Sequence, residues 1–262
     1  MATGKVDRQQ QAMLDDRPEE EEEDDDPSAM SLVDHLEELR WRIFKSLIAI
    51  AVGSIVAFIF REPIMAFLQT PLPSIVKKLT VTGIGEGFTV TLMVSIATGF
   101  IVALPVTLYQ TWAFIAPGLY EHEKKHAVPF ILTGIALFVA GISLGFFVLR
   151  YPVQWLITFG AASFNELVTA GSYFGFVAFF LLAFGVIFEL PLVLIFMAKI
   201  GLITPETLAR KRAAAHVGMW LAPAILLPGA DPYSPIIMGA AMSILYEGTI
   251  LFIRLTIKPE EE

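Results

Sequence analysis

One five-residue stretch matches a pattern used in metal chemistry. His122-Glu123-Lys124-Lys125-His126 has the H-E-x-x-H spacing, which places two zinc ligands one helical turn apart with a glutamate as the base. The two lysines would crowd a dication, and no third ligand of obvious placement exists. A five-residue pattern without such context often occurs by chance. We therefore interpret the stretch as a charged turn and predict neither a metal site nor a zinc protease.

Nucleophilic catalysis is not indicated either. The chain has no G-x-S-x-G elbow, and no apolar stretch contains both a serine and a histidine. The absence of cysteine excludes a disulfide framework and a thiolate metal site. We expect a protein without enzymatic activity and without a cofactor.

Glu189 is the acidic residue with the clearest functional implication. It interrupts an otherwise uncharged stretch and precedes Lys199 by ten residues. In a helix this places it about 15 Å from the end, near the middle of a bilayer. A carboxylate at that depth costs several kcal/mol unless it is protonated, paired or wetted. Two interpretations stay open, a functional group and a structural hydrogen bond to another helix, whereas Glu247 is shallower and weaker evidence.

Two acidic segments border the first two apolar stretches. The first, H-L-E-E-L-R-W-R at 35–42, contains leucines at spacings of three and four that predict an amphipathic interfacial helix. The second, F-I-A-P-G-L-Y-E-H-E at 114–123, follows the second stretch on the same side. Partly desolvated carboxylates there could bind a cationic peptide through charge-assisted hydrogen bonds. The alternative for the first segment is a simple membrane anchor.

A membrane-spanning scaffold must position these residues. The 262 residues are 55% hydrophobic and 17% charged, with a mean hydropathy of +0.66, whereas a globular chain is about a quarter charged. A helix crossing the hydrocarbon needs about 20 apolar residues. We predict an all-α polytopic protein with six spans, within Ile43–Phe60, 87–120, Ala127–Leu149, Tyr173–Ala198, Ala213–Leu227 and Pro235–Ile253.

The orientation of the spans follows from the basic residues. With the N-terminus inside, inner segments contain eleven Lys and Arg and outer segments four, which predicts that both termini lie in the cytoplasm. We expect a multi-pass protein of the cell inner membrane. The inner set is Arg40, Arg42, Lys45, Lys124, Lys125, Lys199, Arg210, Lys211, Arg212, Arg254 and Lys258, and the outer set is Arg61, Lys77, Lys78 and Arg150. We expect short interfacial helices in the two longer outer loops.

The net charge of −8 belongs to an N-terminal tail. Residues 1–27 contain three basic and eleven acidic side chains, and the remainder contains fifteen of each. Such a tail is expected to be disordered, and the absence of a basic surface argues against a nucleic-acid partner. We divide the chain into an acidic tail at 1–30, a six-span domain at 31–256 and a short cytoplasmic tail at 257–262.

Small residues and prolines suggest how the spans pack. The Gly141-x-x-x-Gly145 motif allows a close helix approach, either within the bundle or in a dimer. Prolines that can kink spans around a concave face occur at Pro105, Pro129, Pro191 and Pro223. A proton-coupled secondary transporter using Glu189 is an alternative function, although the internal repeat usual in that class is not visible.

The two acidic segments resemble the signatures of the TatC family, the large membrane subunit of the twin-arginine protein translocase. His-Leu-x-Glu-Leu-Arg-x-Arg precedes the first span and Phe-x-x-Pro-Gly-Leu-x-x-x-Glu follows the second. Further features similar to the family's, in the same order, are Phe188-Glu189-Leu190-Pro191, Lys211-Arg212, and Pro228 with Asp231. The resemblance covers about residues 31–256.

The resemblance implies a receptor for the signal peptides of folded precursor proteins. The positions of Glu38 and Glu123 match the acids that receive the twin arginines, and Glu37 adds a neighbouring carboxylate. The residues implied to shape that site are His35, Arg40, Phe114, Pro117, Gly118 and Leu119. Glu189 matches an acid facing the cavity where single-span partner subunits of the TatA and TatB type dock, so an oligomeric complex in the bilayer is implied. Asp231 matches an outer-turn residue linked to function.

Overall fold

The computed structural model describes residues 32–76, 78–116, 127–159, 167–227, 229 and 231–256, and the regular structure in these ranges is helical. The all-α prediction is therefore confirmed for this part of the chain. The helices are α1 (Leu32–Ile59), α2 (Arg61–Leu68), α3 (Glu86–Ile115), α4 (Ala127–Val148), α5 (Arg150–Phe159), α6 (Ala170–Ile187), α7 (Leu190–Lys199), α8 (Pro205–Arg210), α9 (Arg212–Leu226) and α10 (Tyr233–Thr256).

Five segments in the described ranges are long and apolar enough to cross a membrane. They are α1 from Val33, α3, α4 with α5, α6 with α7, and α10. The predicted fifth span corresponds to α9, whose 15 residues reach only about 22 Å. Two short helices, α2 and α5, are found in the segments where interfacial helices of the outer loops were expected. The proposed terminal segments 1–30 and 257–262 lie outside the described residues.

The chain divides into two compact units, Met1–Trp41 and Arg42–Glu262. In the first unit the described residues form the start of α1, in which Leu36 is exposed and Leu39 is half-buried. The second unit contains the remainder of α1 and the other nine described helices.

Helices α4 and α6 pack closely through the predicted glycine motif. A Cβ on Gly141 would lie 2.6 Å from the carbonyl oxygen of Phe184, and a Cβ on Gly145 would lie 3.0 Å from the Phe184 side chain. A larger residue at either position would therefore push the two helices apart. The motif serves packing within this bundle, as the first of its two interpretations predicted.

Helices α1 and α3 approach each other through two glycines that no local motif marks. A Cβ on Gly53 would lie 2.8 Å from the carbonyl oxygen of Gly99, and a Cβ on Gly99 would collide with the backbone of Ser54. The backbones are in direct contact at this crossing. Small residues at such positions let spans associate by van der Waals packing, which is the main attraction available between helices in lipid.

The ends of the bundle differ in construction. At one end, called the cap end, α1, α4 and α9 finish and α3, α6 and α10 begin. There the hydroxyl of Tyr173 donates to the carbonyl oxygen of Leu68 at 2.7 Å, and Thr80 pairs with the start of α6 through a bridge to Thr169. The opposite end, called the rim end, contains the ends of α3, α7 and α10 and the short helix α8. The cap end is thus tied together by backbone bonds between segments.

The fourth span is broken where Glu189 lies. Helix α6 ends at Ile187, two turn residues follow, and α7 begins at Leu190. Pro191 stands in the first turn of α7, where proline cannot donate the hydrogen bond that would continue α6 into α7. Proline also lies inside α3 at Pro105 and inside α9 at Pro223, as predicted.

The interior of the second unit is aromatic and its outer surface is apolar. Phe138, Phe174, Phe180 and Phe184 are each less than 2% exposed. Large apolar side chains also point outward along the long helices, among them Ile55, Val102 and Leu251. A protein that is apolar inside and outside suits hydrocarbon as its solvent.

Candidate functional site

The first acidic segment forms the beginning of α1. Nδ1 of His35 lies 3.9 Å from Oε2 of Glu38, one helical turn further along. The Glu38 side chain is 19% exposed, whereas Glu37 and Arg40 are exposed. Glu38 and its neighbour Glu37 therefore differ in their surroundings although they carry the same charge.

The second acidic segment is described only at its beginning. Phe114 lies half-buried in the last turn of α3. The other predicted site residues of this segment, Pro117, Gly118, Leu119 and Glu123, lie outside the described residues, as does the H-E-x-x-H stretch. The predicted approach of Glu38 and Glu123 stays a prediction. Among the residues that the structure describes, no group of three His, Asp or Glu is placed to hold a metal ion.

Glu189 lies between three helices in apolar surroundings. Both carboxylate oxygens are buried and have no hydrogen-bond partner in the described part of the chain. A Cβ on Gly134 of α4 would lie 3.3 Å from Oε2 of Glu189, 3.1 Å from Leu192 of α7 and 2.8 Å from Leu108 of α3. The glycine thus leaves the room that the glutamate side chain occupies.

An aromatic cluster packs the same three helices together towards the rim end. Trp112 of α3 lies 4.9 Å from Phe130 of α4 between ring centroids, and Phe196 of α7 lies 5.9 Å from Phe130.

A buried polar group without a hydrogen-bond partner destabilises the folded protein. Among the described residues, nothing offsets this cost for the two buried oxygens of Glu189.

Asp231 caps the last span. Its Oδ1 accepts from the backbone nitrogens of Tyr233 at 2.9 Å and of Ser234 at 2.7 Å. Its Oδ2 accepts from the Ser234 hydroxyl at 2.7 Å, and the residue is 4% exposed. A carboxylate at this position satisfies the free N–H groups of a helix start and interacts favourably with the helix dipole. Sequence reasoning found the residue but not this structural role.

A polar cluster between α9 and α10 was missed by sequence reasoning. Nε2 of His216 lies 3.0 Å from Oε1 of Glu247, and its Nδ1 lies 3.0 Å from the hydroxyl of Ser243. Arg212 approaches the same oxygen of Glu247 at 2.7 Å. A serine and a histidine do meet, but from two different helices. The spacing of four, between Arg212 and His216 and again between Ser243 and Glu247, puts each pair on one helix face and could have revealed the cluster.

Comparison with known families assigns this architecture. The family model for the Sec-independent protein translocase protein, TatC, matches residues 34–240. The chain belongs to the TatC family. The match spans the acidic segment of α1, Glu189 and Asp231, so these candidate residues lie within the matched part of the chain.

The similarity between this chain and individual TatC relatives extends over almost the full length of those relatives. The chain is 39% identical over 233 residues to the Sec-independent protein translocase protein TatC of Carboxydothermus hydrogenoformans, covering 88% of this chain and 96% of that relative. It is 34% identical to TatC of Aquifex aeolicus over 238 residues, covering 89% of this chain and 98% of the relative. These proteins are named as components of a protein translocase, which is a transport role.

Solved TatC structures share the fold. A crystal structure of the twin-arginine translocase receptor TatC in the detergent DDM superimposes with a TM-score of 0.73 at 35% identity, covering 83% of this chain and 98% of that chain. A second crystal structure of the same receptor gives a TM-score of 0.71 at 35% identity and covers 86% of this chain and 100% of that chain. The protein is therefore a multi-pass membrane protein of a protein-translocase family.

Proposed function

We propose that this chain is the receptor subunit of a twin-arginine translocase, which binds the signal peptides of folded precursors at the cytoplasmic face and organises their transport. The likeness to the whole length of a solved twin-arginine translocase receptor carries the proposal. A proton-coupled transporter would also use Glu189, but the relatives that match nearly end to end are named protein translocases. The translocase is therefore the better supported function.

Glu38 and Glu123 are the proposed receptors for the two arginines, within a site shaped by His35, Arg40 and the 114–119 segment. Arginine presents a planar fork that meets a carboxylate with two parallel hydrogen bonds, whereas lysine is a point charge. Carboxylates can therefore discriminate two side chains of equal charge. Since Glu37 is more exposed than Glu38, we assign the arginine contact to Glu38.

Site-specific crosslinking tests this proposal. A photoreactive residue replacing Leu39 in membranes that contain the whole complex should crosslink to a twin-arginine precursor and poorly to its two-lysine variant. Glu38→Gln or Glu123→Gln should weaken precursor binding by roughly ten- to a hundredfold, the range for a lost bond to a charged group. The two losses should combine non-additively if both acids hold the same arginine pair.

Glu37→Gln is the matched control, because it removes the same charge one position away and should leave binding nearly unchanged. Unchanged crosslinking in the double variant E38Q/E123Q, with the protein present at normal level in the membrane, would contradict the assignment of these residues. A control variant that weakens binding as strongly as E38Q would indicate a general electrostatic effect instead.

Glu189 is proposed as the docking point for single-span partner subunits of the TatA and TatB type. A partner helix with a polar side chain at the same depth would supply the hydrogen bond that the described residues do not give to Glu189. Hydrogen bonds between spans contribute about 1 kcal/mol each. Such a contact would therefore fix where the partner helix docks but add little to its binding affinity.

We further propose six spans with both termini in the cytoplasm and the cap end outside an inner membrane. This orientation rests on the eleven-to-four distribution of basic residues. The short helix α9 would then be the fifth span. Its 15 residues suffice where the bilayer thins or where neighbouring helices shield its ends.

A further inference from the structure

Three basic side chains lie at the rim end where the chain passes from α7 through α8 to α9. Lys199 is the last residue of α7, Arg210 is the last residue of α8, and Lys211 separates α8 from α9. All three residues are exposed. We call these three residues the basic corner. The proposed receptor function uses none of them.

Hydrogen bonds fix the two helices that carry the basic corner. The chain reverses tightly after α7, where the backbone nitrogen of Leu202 donates to the carbonyl oxygen of Met197 at 3.0 Å. Gly201 in this turn has a φ of +74°, the left-handed conformation that commonly ends a helix. The hydroxyl of Tyr246 in α10 donates to the carbonyl oxygen of Leu208 in α8 at 2.9 Å. The positions of both helix ends are therefore set by the fold.

The burial of Leu208 determines which way α8 presents its cation. Leu208 is buried and belongs to the hydrophobic core. A helix has 3.6 residues per turn, so the residue two positions further along lies on the opposite face. That residue is Arg210, which is exposed. The short helix thus packs on the bundle with its leucine and directs its arginine away from the bundle.

The positive charge of the basic corner is not neutralised by the described residues. Arg212, the next residue along the chain, pairs with Glu247 at 2.7 Å. No acid in the described ranges lies within ion-pair distance of the basic corner itself. Glu206, one helical turn before Arg210, is exposed and lowers the net charge of this surface without forming an ion pair. The surface therefore keeps an excess of positive charge.

The basic corner lies at the level of the lipid headgroups. The α6–α7 span of 30 residues reaches about 45 Å, the thickness of a bilayer with its headgroups, and Lys199 is its last residue. In the proposed six-span topology, α9 enters the bilayer directly after Lys211. Two exposed apolar side chains, Ile200 and Leu202, lie in the loop between α7 and α8. Cations beside exposed apolar side chains are typical of a surface that rests in the membrane interface.

We propose that the basic corner binds the headgroups of anionic phospholipids in the rim-side leaflet. Lys and Arg close to a span are attracted to anionic headgroups, and a guanidinium can form paired hydrogen bonds with a phosphate. The three cations are distributed over the ends of α7 and α8 and are all exposed, so they form an open surface. Such a surface matches a plane of anions better than it matches one soluble phosphate. Lipid binding there would hold the α7–α8 connection against the membrane.

The test uses the full-length protein in nanodiscs of phosphatidylcholine with a minor fraction of phosphatidylglycerol that carries a photoreactive group next to its phosphate. Labelling should map to residues 199–212. Lys199→Gln, Arg210→Gln and Lys211→Gln should each reduce that labelling about fivefold, the usual contribution of one cation near the membrane surface. Labelling should also decrease as the salt concentration rises, because salt screens exposed charges.

Three further variants separate charge from structure. Arg254→Gln is the matched control, because Arg254 is an exposed cation in the last turn of α10 at the same end of the bundle. It should leave the labelling of residues 199–212 unchanged. Glu206→Gln removes the acid of α8 and should increase the labelling. Arg210→Lys retains the charge and should retain most of the labelling.

The results distinguish lipid from other occupants. Labelling of residues 199–212 that falls in the three Gln variants but not in R254Q supports the proposal. Equal labelling by a phosphatidylcholine with the same photoreactive group would overturn the recognition of anionic lipid. Unchanged labelling in the triple variant K199Q/R210Q/K211Q, or crosslinking of this surface to a precursor protein in place of lipid, would overturn the site. The thermal midpoint of each variant is measured alongside, and R210Q alone decides the question should the triple variant fail to fold.

Discussion

Oε1 of Glu86 accepts a hydrogen bond from the backbone nitrogen of Gly171, 85 residues further along the chain, at 3.1 Å. Glu86 is the first residue of α3 and Gly171 lies in the first turn of α6. Oε2 of the same carboxylate accepts from the backbone nitrogen and hydroxyl of Thr82 at 2.5 and 2.7 Å. One anion therefore serves the N-terminal ends of two spans and the loop that precedes the first.

Replacing Glu86 with Gln should loosen the cap end. The amide group can keep one acceptor oxygen but offers an NH₂ group where the carboxylate accepts from Thr82. The thermal midpoint in detergent should fall, and hydrogen exchange should rise at Gly171 and Thr82. Glu62→Gln is the control, because Glu62 is an exposed acid in a cap-end helix. Equal midpoints for E86Q and E62Q would show that the contact contributes nothing.

The Gly99 crossing should tolerate no side chain. Because an added Cβ would meet the Ser54 backbone, Gly99→Ala should destabilise the protein by about 1 to 3 kcal/mol, the usual cost of overpacking. Gly248→Ala, at a helical glycine with open space around it, should be neutral or stabilise by up to about 1 kcal/mol. Reversible unfolding in mixed detergent measures both, and a G99A variant as stable as G248A would contradict the close crossing.

Removing the Asp231 cap should affect α10 before it affects any other span. Asp231→Ala is expected to cost about 1 to 2 kcal/mol, the range for lost N-caps, and Asp231→Asn should cost less because it retains an acceptor for the backbone. Hydrogen exchange at Tyr233 and Ser234 should increase in D231A. If exchange there is unchanged while transport is lost, Asp231 acts on transport directly and not through the cap.

Glu189 offers a variant in which stability and function should move in opposite directions. Glu189→Leu removes a buried polar group without a described partner and should stabilise the isolated protein by about 1 kcal/mol. It should also weaken copurification with single-span subunits, by roughly fivefold if one interhelical bond is lost. Glu189→Gln should retain most copurification. A Leu variant that retains full copurification and transport would show that Glu189 is not the docking point.

The proposed topology can be tested with single cysteines, because the chain has none of its own. Ser74 at the cap end and Glu206 in α8 at the rim end are both exposed. In intact cells Ser74→Cys should react with an impermeant thiol reagent and Glu206→Cys should react only after the membrane is permeabilised. The reverse result would invert the orientation.

The parts of this fold that the sequence predicts are those determined by local composition. Five predicted spans appear as long apolar helices because hydropathy over 20 residues is a local property. The break at Glu189 was indicated by Pro191, and the close packing of α4 on α6 by the spacing of Gly141 and Gly145. Each signal lies within one helix.

Contacts between distant residues escaped prediction for the same reason. Glu86 and Gly171 belong to different spans, and nothing near either residue in the sequence marks the other. Gly53 and Gly99 are single glycines whose meeting depends on the crossing of α1 and α3. Asp231 was selected by resemblance, but its function as a cap depends on where α10 begins. Such roles become visible only when the helix ends are located in three dimensions.

The two-residue turn between α6 and α7 divides the fourth span into two separate helical segments. The cap-end segment, α6, forms hydrogen bonds with neighbouring segments through Gly171 and Tyr173. The segment that starts at Leu190 lacks the backbone hydrogen bond to α6 that Pro191 cannot donate. The orientation of α7 relative to α6 therefore depends on side-chain packing, such as that of Phe196 against Phe130, and not on a continuous ladder of backbone hydrogen bonds.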